Sequence, residues 1–383
     1  MEGLGELVKT GTLQGCEFIN VESEFAALSV AIGATATGAR AYTATSSQGL
    51  LFMAEAVYNA AGLGLPIVMT LGNRAIGAPI NIWNDHSDAM AMKDAGWIML
   101  FAETNQEAAD LHIQAFRLAE ALSCPVMVNV DGFILTHAVE RVDLPTQEQV
   151  DAYLPPFEPA QILDPADPVS IGAMVGPDAF SEVRYLAHHK QLQALTLIPA
   201  LAAEFAVQFG RASGGLIHTY RAEDAQTLVV AMGSVNGTIK DVIDEMRAAG
   251  TSIGAVVIST FRPFPLHEVG AALQQARRVV VVEKNLAVGL GGVLASNVRM
   301  ALRGRQVPVH TVIAGLGGRP ITMASLRRIF EQAGRDELED TTFLDLRWDV
   351  VNREIERMGT TRRSGPIAEN ILRATGVPRS RVG

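Results

Sequence analysis

A lone glutamate, a run of hydroxyls and an acid-flanked histidine are the first groups in this sequence able to do chemistry. They are Glu24, Thr45-Ser46-Ser47 and Asp85-His86-Ser87-Asp88. Glu24 follows the short apolar run Phe18-Ile19-Asn20-Val21 and opens an alanine-rich segment over residues 25–38. A carboxylate in that setting is not expected to be fully solvated. Buried without a partner, it has a raised pKa and can share a proton with a ring nitrogen. The competing reading is a first-turn acid favoured by the helix macrodipole. In the Asp-His-Ser-Asp run, a histidine between acids could ligate a metal or transfer protons. Yet the run lacks the i, i+4 spacing of a helical metal pair, and no cysteine is near. No metal site is expected here. Asp85 and His86 remain secondary candidates, on a loop that closes over the site.

The elements that must position these groups read as alternating strands and helices. Residues 18–21 read as a strand, 25–38 as a helix, 41–45 as a strand, 50–62 as a helix and 67–71 as a strand. The last runs into Gly72-Asn73-Arg74. Polar residues at the strand ends fit a parallel α/β sheet, where ligands bind at those ends. Thr45, Ser46 and Ser47 are therefore candidate cofactor contacts. Residues 97–103 and 125–130 read as further strands, with an amphipathic helix over 105–122 between them. Proline recurs through 144–177, which predicts an extended connector. Residues 179–209 read as helical, and His188 and His189 there have no acid or cysteine in phase. A second α/β unit begins at Thr227, with strands over 228–232, 253–258, 278–283 and 309–313 and an FRPFP turn at 261–265. Two GLGG clusters, 289–292 and 315–318, are either phosphate-binding helix starts or tight turns. Neither makes a dinucleotide fingerprint or a P-loop.

The divisions expected are 1–142, a connector and helical segment over 143–226, a second unit over 227–335, and a charged tail over 336–383. No uncharged apolar stretch approaches the roughly 20 residues of a membrane span. A net charge of −10 argues against nucleic acid as a partner. The chain has 2 cysteines, Cys16 and Cys124, which implies no disulfide framework and fits a reducing cytoplasm. A [4Fe–4S] cluster needs about four thiolates, so this chain cannot hold one alone.

The segments VESEFAA, GARAYTATSSQGLLFM, LPIVM, NRAIGAPINIWNDHSD and VNVDGFILTH, taken in order, resemble the alpha subunit of the 2-oxoacid:ferredoxin oxidoreductases. The resemblance continues through residues 228–318. It implies an α/β fold: a thiamine-diphosphate-binding-type pyrimidine domain, then a transketolase C-terminal-like domain. In that family the glutamate matching Glu24 contacts the thiamine aminopyrimidine, whose activation needs a glutamate. The arginine matching Arg74 binds the 2-oxoacid carboxylate, as a guanidinium fork can do bidentately. The implied reaction is oxidative decarboxylation of a 2-oxoacid with coenzyme A. Pyruvate is the default substrate, with an aryl oxoacid such as phenylglyoxylate open. No GDG-type diphosphate motif occurs, so the diphosphate and Mg²⁺ are expected on a beta subunit. The [4Fe–4S] clusters are expected on a ferredoxin-like delta subunit or its fused equivalent, in a complex with a gamma subunit. Family members begin earlier, with a strand and a helix carrying a YPITP-like motif that this sequence lacks. A misassigned start, a shortened chain or a segment supplied by a partner would each explain this. Two rival readings are the beta chain of an NAD-linked 2-oxoacid dehydrogenase and a non-catalytic scaffold subunit.

Overall fold

The computed structural model describes residues 2–359, residue 365 and residues 367–375, so the end of the charged tail lies outside the described residues. Continuous apolar runs build the first sheet. β1 (Ala41–Thr45), β2 (Ile67–Asn73), β3 (Ile98–Phe101) and β4 (Val126–Asp131) are all parallel, in the order β1-β2-β4-β3. β3 and β4 are buried at every residue, as strands covered on both faces must be.

The second sheet holds β5 (Ile217–Tyr220), β6 (Thr227–Ala231), β7 (Ile253–Ile258), β9 (Arg278–Glu283), β10 (Val309–Ile313) and β11 (Thr341–Phe343). Its order is β11-β10-β9-β6-β7-β5, with β5 antiparallel. β8 (Thr260–Arg262) does not join it. The chain leaves β7 at Ile258, passes through buried Ser259, and adds β8 antiparallel to the edge of β3 in the first sheet. Phe101 on β3 donates its N–H to the Ser259 carbonyl at 2.7 Å, and its ring meets Phe261 of β8 edge-on at 6.1 Å. One apolar core is therefore continuous from Leu28 and Met53 through Phe101 and Phe261 to Val281 and Leu294.

Several expectations need correction. Residues 18–21 form no strand: β1 is the outermost strand of its sheet, and no described strand lies beside 18–21 to take up its N–H and C=O groups. The expected 50–62 helix is two, Gln48–Phe52 and Ala54–Leu63, hinged at Met53. The proline-rich connector contains a helix, Gln147–Tyr153, nucleated by a Thr146/Gln149 capping box. The first two residues of the FRPFP turn, Phe261 and Arg262, belong to strand β8. The helix Phe180–Phe209 is 30 residues long with mean hydropathy 1.4, enough by length and composition for a membrane span, contrary to the expectation of no such segment. Its apolarity has a local use: Ala194, Ile198 and Leu201 pack into the core formed with the helix Asn105–Leu122 and the first sheet.

Candidate active site

Glu24 is the first residue of the helix Glu24–Ala36, after an N-cap at Ser23 whose hydroxyl accepts the Ala26 N–H at 3.2 Å. The expected enclosure is not seen. Glu24 is exposed, and its carboxylate has no hydrogen bond or ion pair among the described residues. It does have close neighbours. A Cβ on Gly49 would lie 2.5 Å from Thr45 Oγ1 and 3.0 Å from Glu24 Oε1. The strand end at Thr45 and the helix start at Glu24 thus meet over a glycine that has no side chain. The missing side chain lets that carboxylate and that hydroxyl approach the Gly49 Cα closely.

Ser46 is half-buried beside them, whereas Ser47 turns inward. The Ser47 hydroxyl is fully buried and donates to the Ala75 carbonyl at 2.5 Å, with Gln48 Oε1 at the same distance. It braces the loop and is not open to a ligand. The Ser47 backbone is left-handed, with φ of 51°, a costly conformation for a residue with a Cβ.

Arg74 follows β2 directly. Its backbone N–H is bound, but its Nε is buried without a partner and its guanidinium forms no ion pair among the described residues. A buried, unpaired guanidinium nitrogen is costly unless a ligand completes it.

Asp85 and His86 do not project toward Glu24. The Asp85 carboxylate caps its own loop through the Ser87 N–H at 3.0 Å and accepts the Gly317 N–H from the second unit at 3.0 Å. His86 is buried, with Nε2 2.7 Å from Asp131 Oδ1. Asp131 ends β4 and gathers the closing contacts of the two units. Besides His86 it accepts from Asn84 Nδ2 at 3.2 Å, from the Ser234 N–H at 2.8 Å and Oγ at 2.5 Å, and from buried Lys284. Burial alone would raise the Asp131 carboxyl, but Lys284 and then His86 outweigh it and hold it well below the usual carboxylate range. Burial lowers the His86 ring below its ordinary value, against the pull of Asp131.

The two GLGG clusters prove to be turns. At 289–292 the following helix start is already filled: the Glu283 carboxylate accepts the Val293, Leu294 and Ala295 N–H groups at 2.8, 2.9 and 3.1 Å. Burial raises that carboxyl to about 6, against these donors. At 315–318 the glycines receive the loop of the first unit, with Asn81 Nδ2 donating to the Gly317 carbonyl at 3.1 Å. A cavity of about 250 Å³ lies beside this contact, lined in part by Trp83, Phe133, Ser234, Lys284 and Arg319. None of Glu24, Thr45 and Arg74 lines it, and its lysine is already paired with Asp131.

Asp88 belongs to the Asp-His-Ser-Asp run but was not among the candidate site residues. It is fully buried and accepts four N–H groups: Ser47 at 3.0 Å, Arg74 at 2.9 Å, Asn73 Nδ2 at 3.1 Å and Ala89 at 2.7 Å. Burial raises its carboxyl to about 7, opposed by those donors.

Two α/β units with mainly parallel sheets, the first offering a helix-start glutamate and an unpaired arginine, fit the thiamine-diphosphate-binding type of fold. Comparison with known proteins carries this further. Residues 1–201 match the family model for pyruvate flavodoxin/ferredoxin oxidoreductase, thiamine diphosphate-binding, and residues 225–326 match pyruvate:ferredoxin oxidoreductase core domain II. The pyruvate synthase subunit PorA of Methanosarcina barkeri is 44% identical over 360 residues, covering 92% of this chain and 90% of that one. The ketoisovalerate oxidoreductase subunit VorA of Pyrococcus horikoshii is 37% identical over 334 residues, covering 86% and 84%. In fold, the chain is similar to the 2-oxoglutarate:ferredoxin oxidoreductase of Magnetococcus marinus. The TM-score is 0.63 at 16% identity, over 88% of this chain and 59% of that one. The chain belongs to the 2-oxoacid:ferredoxin oxidoreductase family and is an oxidoreductase subunit.

Proposed function

We propose that the chain is the alpha subunit of a thiamine-diphosphate-dependent enzyme that oxidatively decarboxylates a 2-oxoacid, pyruvate by default. The 2-oxoacid and coenzyme A become acyl-CoA and carbon dioxide, and two electrons leave for ferredoxin or a similar acceptor. The observation that carries this reading is Arg74, whose Nε is buried without a partner. A 2-oxoacid carboxylate is the planar anion that a guanidinium fork matches. Glu24 offers the second open group, a carboxylate with no partner beside the bare Cα of Gly49.

The residues present fit the ring end of thiamine diphosphate. The exposed Glu24 carboxylate would hold a proton at a ring nitrogen, and the Thr45 hydroxyl and half-buried Ser46 lie at the neighbouring strand end. When bound, the cofactor supplies the carbanion-stabilising chemistry that protein side chains lack. Arg74 fixes the substrate's carboxylate and so sets where its carbonyl lies. We place the diphosphate and its Mg²⁺ on a beta subunit. The [4Fe–4S] clusters fall to the other subunits of a cytoplasmic complex, because 2 cysteines cannot supply about four thiolates. Apolar side chains left bare near Glu24, including Phe25, Phe52 at 61% exposure and Tyr58, support a partner covering this face.

The test is the assembled complex carrying Glu24→Gln, assayed for 2-oxoacid-dependent reduction of a viologen dye. A loss of about a hundredfold or more, the scale of a missing acid–base group, is expected with the complex intact. Near-normal turnover would make Glu24 only a helix-start acid and would bring forward the scaffold reading.

A further inference from the structure

We propose that Asp88 is a positioning residue that holds the substrate-binding arginine in register with the cofactor-side loop. This rests on the functional reading above. The geometry is specific. Asp88 Oδ2 accepts both the Ser47 N–H, just past β1, and the Arg74 N–H, just past β2. Oδ1 accepts Asn73 Nδ2 and the Ala89 N–H. One carboxylate therefore joins the ends of two adjacent strands to the helix Ser87–Ala91. Through Asn73 the contact runs on to Asn129 Oδ1 at 3.1 Å on β4, and Asn129 Nδ2 reaches the Leu100 carbonyl of β3 at 3.0 Å. The ends of β1 and β2 are thereby tied to the middle of the sheet.

Asp88 touches no cationic side chain among the described residues, so its role differs from that of an ion-pair residue. All its partners are N–H donors, and two of them lie within the segments that carry Thr45, Ser46 and Arg74. The left-handed backbone of Ser47 is held by that same carboxylate and by the Ser47 hydroxyl on Ala75. Without Asp88, the Ser47 and Arg74 N–H groups would be buried unpaired, and both turns would relax. The Arg74 guanidinium, which forms no ion pair among the described residues, would then lose its aim.

The experiment uses the assembled complex with Asp88→Asn, Asp88→Ala and, as reference, Arg74→Lys. Asparagine keeps one oxygen for the Ser47 and Arg74 N–H groups but turns an amide NH₂ toward Asn73 and Ala89. Alanine removes all four acceptor contacts. The expected result is a rise in KM for the 2-oxoacid of about threefold in Asp88→Asn and tenfold or more in Asp88→Ala, the scale of one or more lost hydrogen bonds. The fall in kcat should be smaller than the rise in KM. Calorimetric titration with acetylphosphonate, a pyruvate analogue that cannot be decarboxylated, should weaken by the same factor. Should the alanine variant not assemble, the asparagine variant alone decides. An unchanged KM and unchanged analogue binding in Asp88→Asn, with Arg74→Lys strongly impaired, overturns the inference and leaves the functional reading standing. If Arg74→Lys is itself unaffected, the functional reading fails, and the inference with it.

Discussion

Glu24 and Asp131 are both carboxylates brought to the ends of elements in the first α/β unit, and they have opposite surroundings. Every lone pair of Asp131 is taken: His86, Asn84, Ser234 and Lys284 converge on it, and it is 1% exposed. Glu24 has no partner at all among the described residues and stands exposed beside a glycine. The difference separates two kinds of polar site. A saturated buried cluster fixes one element against another and has nothing left to offer a substrate. An exposed, uncommitted carboxylate is solvated by water at little cost and stays available to a ligand or a partner.

The comparison breaks most visibly by deletion. Asp131→Ala leaves Lys284 buried and unpaired, which should destabilise the chain by about 3–5 kcal/mol in chemical denaturation. Glu24→Ala should change stability by less than about 0.5 kcal/mol while abolishing most turnover. If both variants lose stability alike, the contrast is wrong. A more selective test is Gly49→Ala. The added methyl would crowd Thr45 Oγ1 at 2.5 Å and Glu24 Oε1 at 3.0 Å. Thiamine diphosphate affinity of the complex should fall by about tenfold or more, the scale of one misplaced contact group, with little change in melting temperature.

The smallest effect is a pH dependence. The folded Asp88 carboxyl, at about 7, lies above its ordinary 3.8. A raised acid contributes stability that is fully present below about 4 and is lost as pH rises through about 7. Relative to Asp88→Asn, the wild type should therefore lose melting temperature between about pH 4 and 7. A constant gap between the two would show that Asp88 does not titrate in this range.

Much of the fold was legible. The apolar runs of β2, β4, β6, β7, β9 and β10 are continuous enough to read directly, because strands buried on both faces need no alternation, while the edge strand β1 alternates between buried and exposed residues. Residues 18–21 look the same in composition, yet a run of apolar residues becomes a strand only where a neighbour pairs with it. β5 and β8, of four and three residues, are too short for any period to show. At the proposed site, Glu24 and Thr45 were candidates from their places at a helix start and a strand end, whereas Arg74 was a candidate only through the family resemblance. The inward turn of Ser47 could not be read, since it depends on a single left-handed residue. Asp131 was invisible for another reason. Its partners lie 45, 103 and 153 residues away in sequence, and no local pattern records such a meeting.

The passage of the chain from β7 to β8 through the single residue Ser259 bears on how such a protein can be divided. The family model for the second unit spans residues 225–326, a tempting fragment to express by itself. That fragment would carry away the strand that closes the first sheet at β3, leaving an open edge on one piece and an orphaned strand on the other. The two units are stitched by backbone as well as packed by side chains. Gene fission or fusion in this lineage would be tolerated before or after the pair far more readily than between its members.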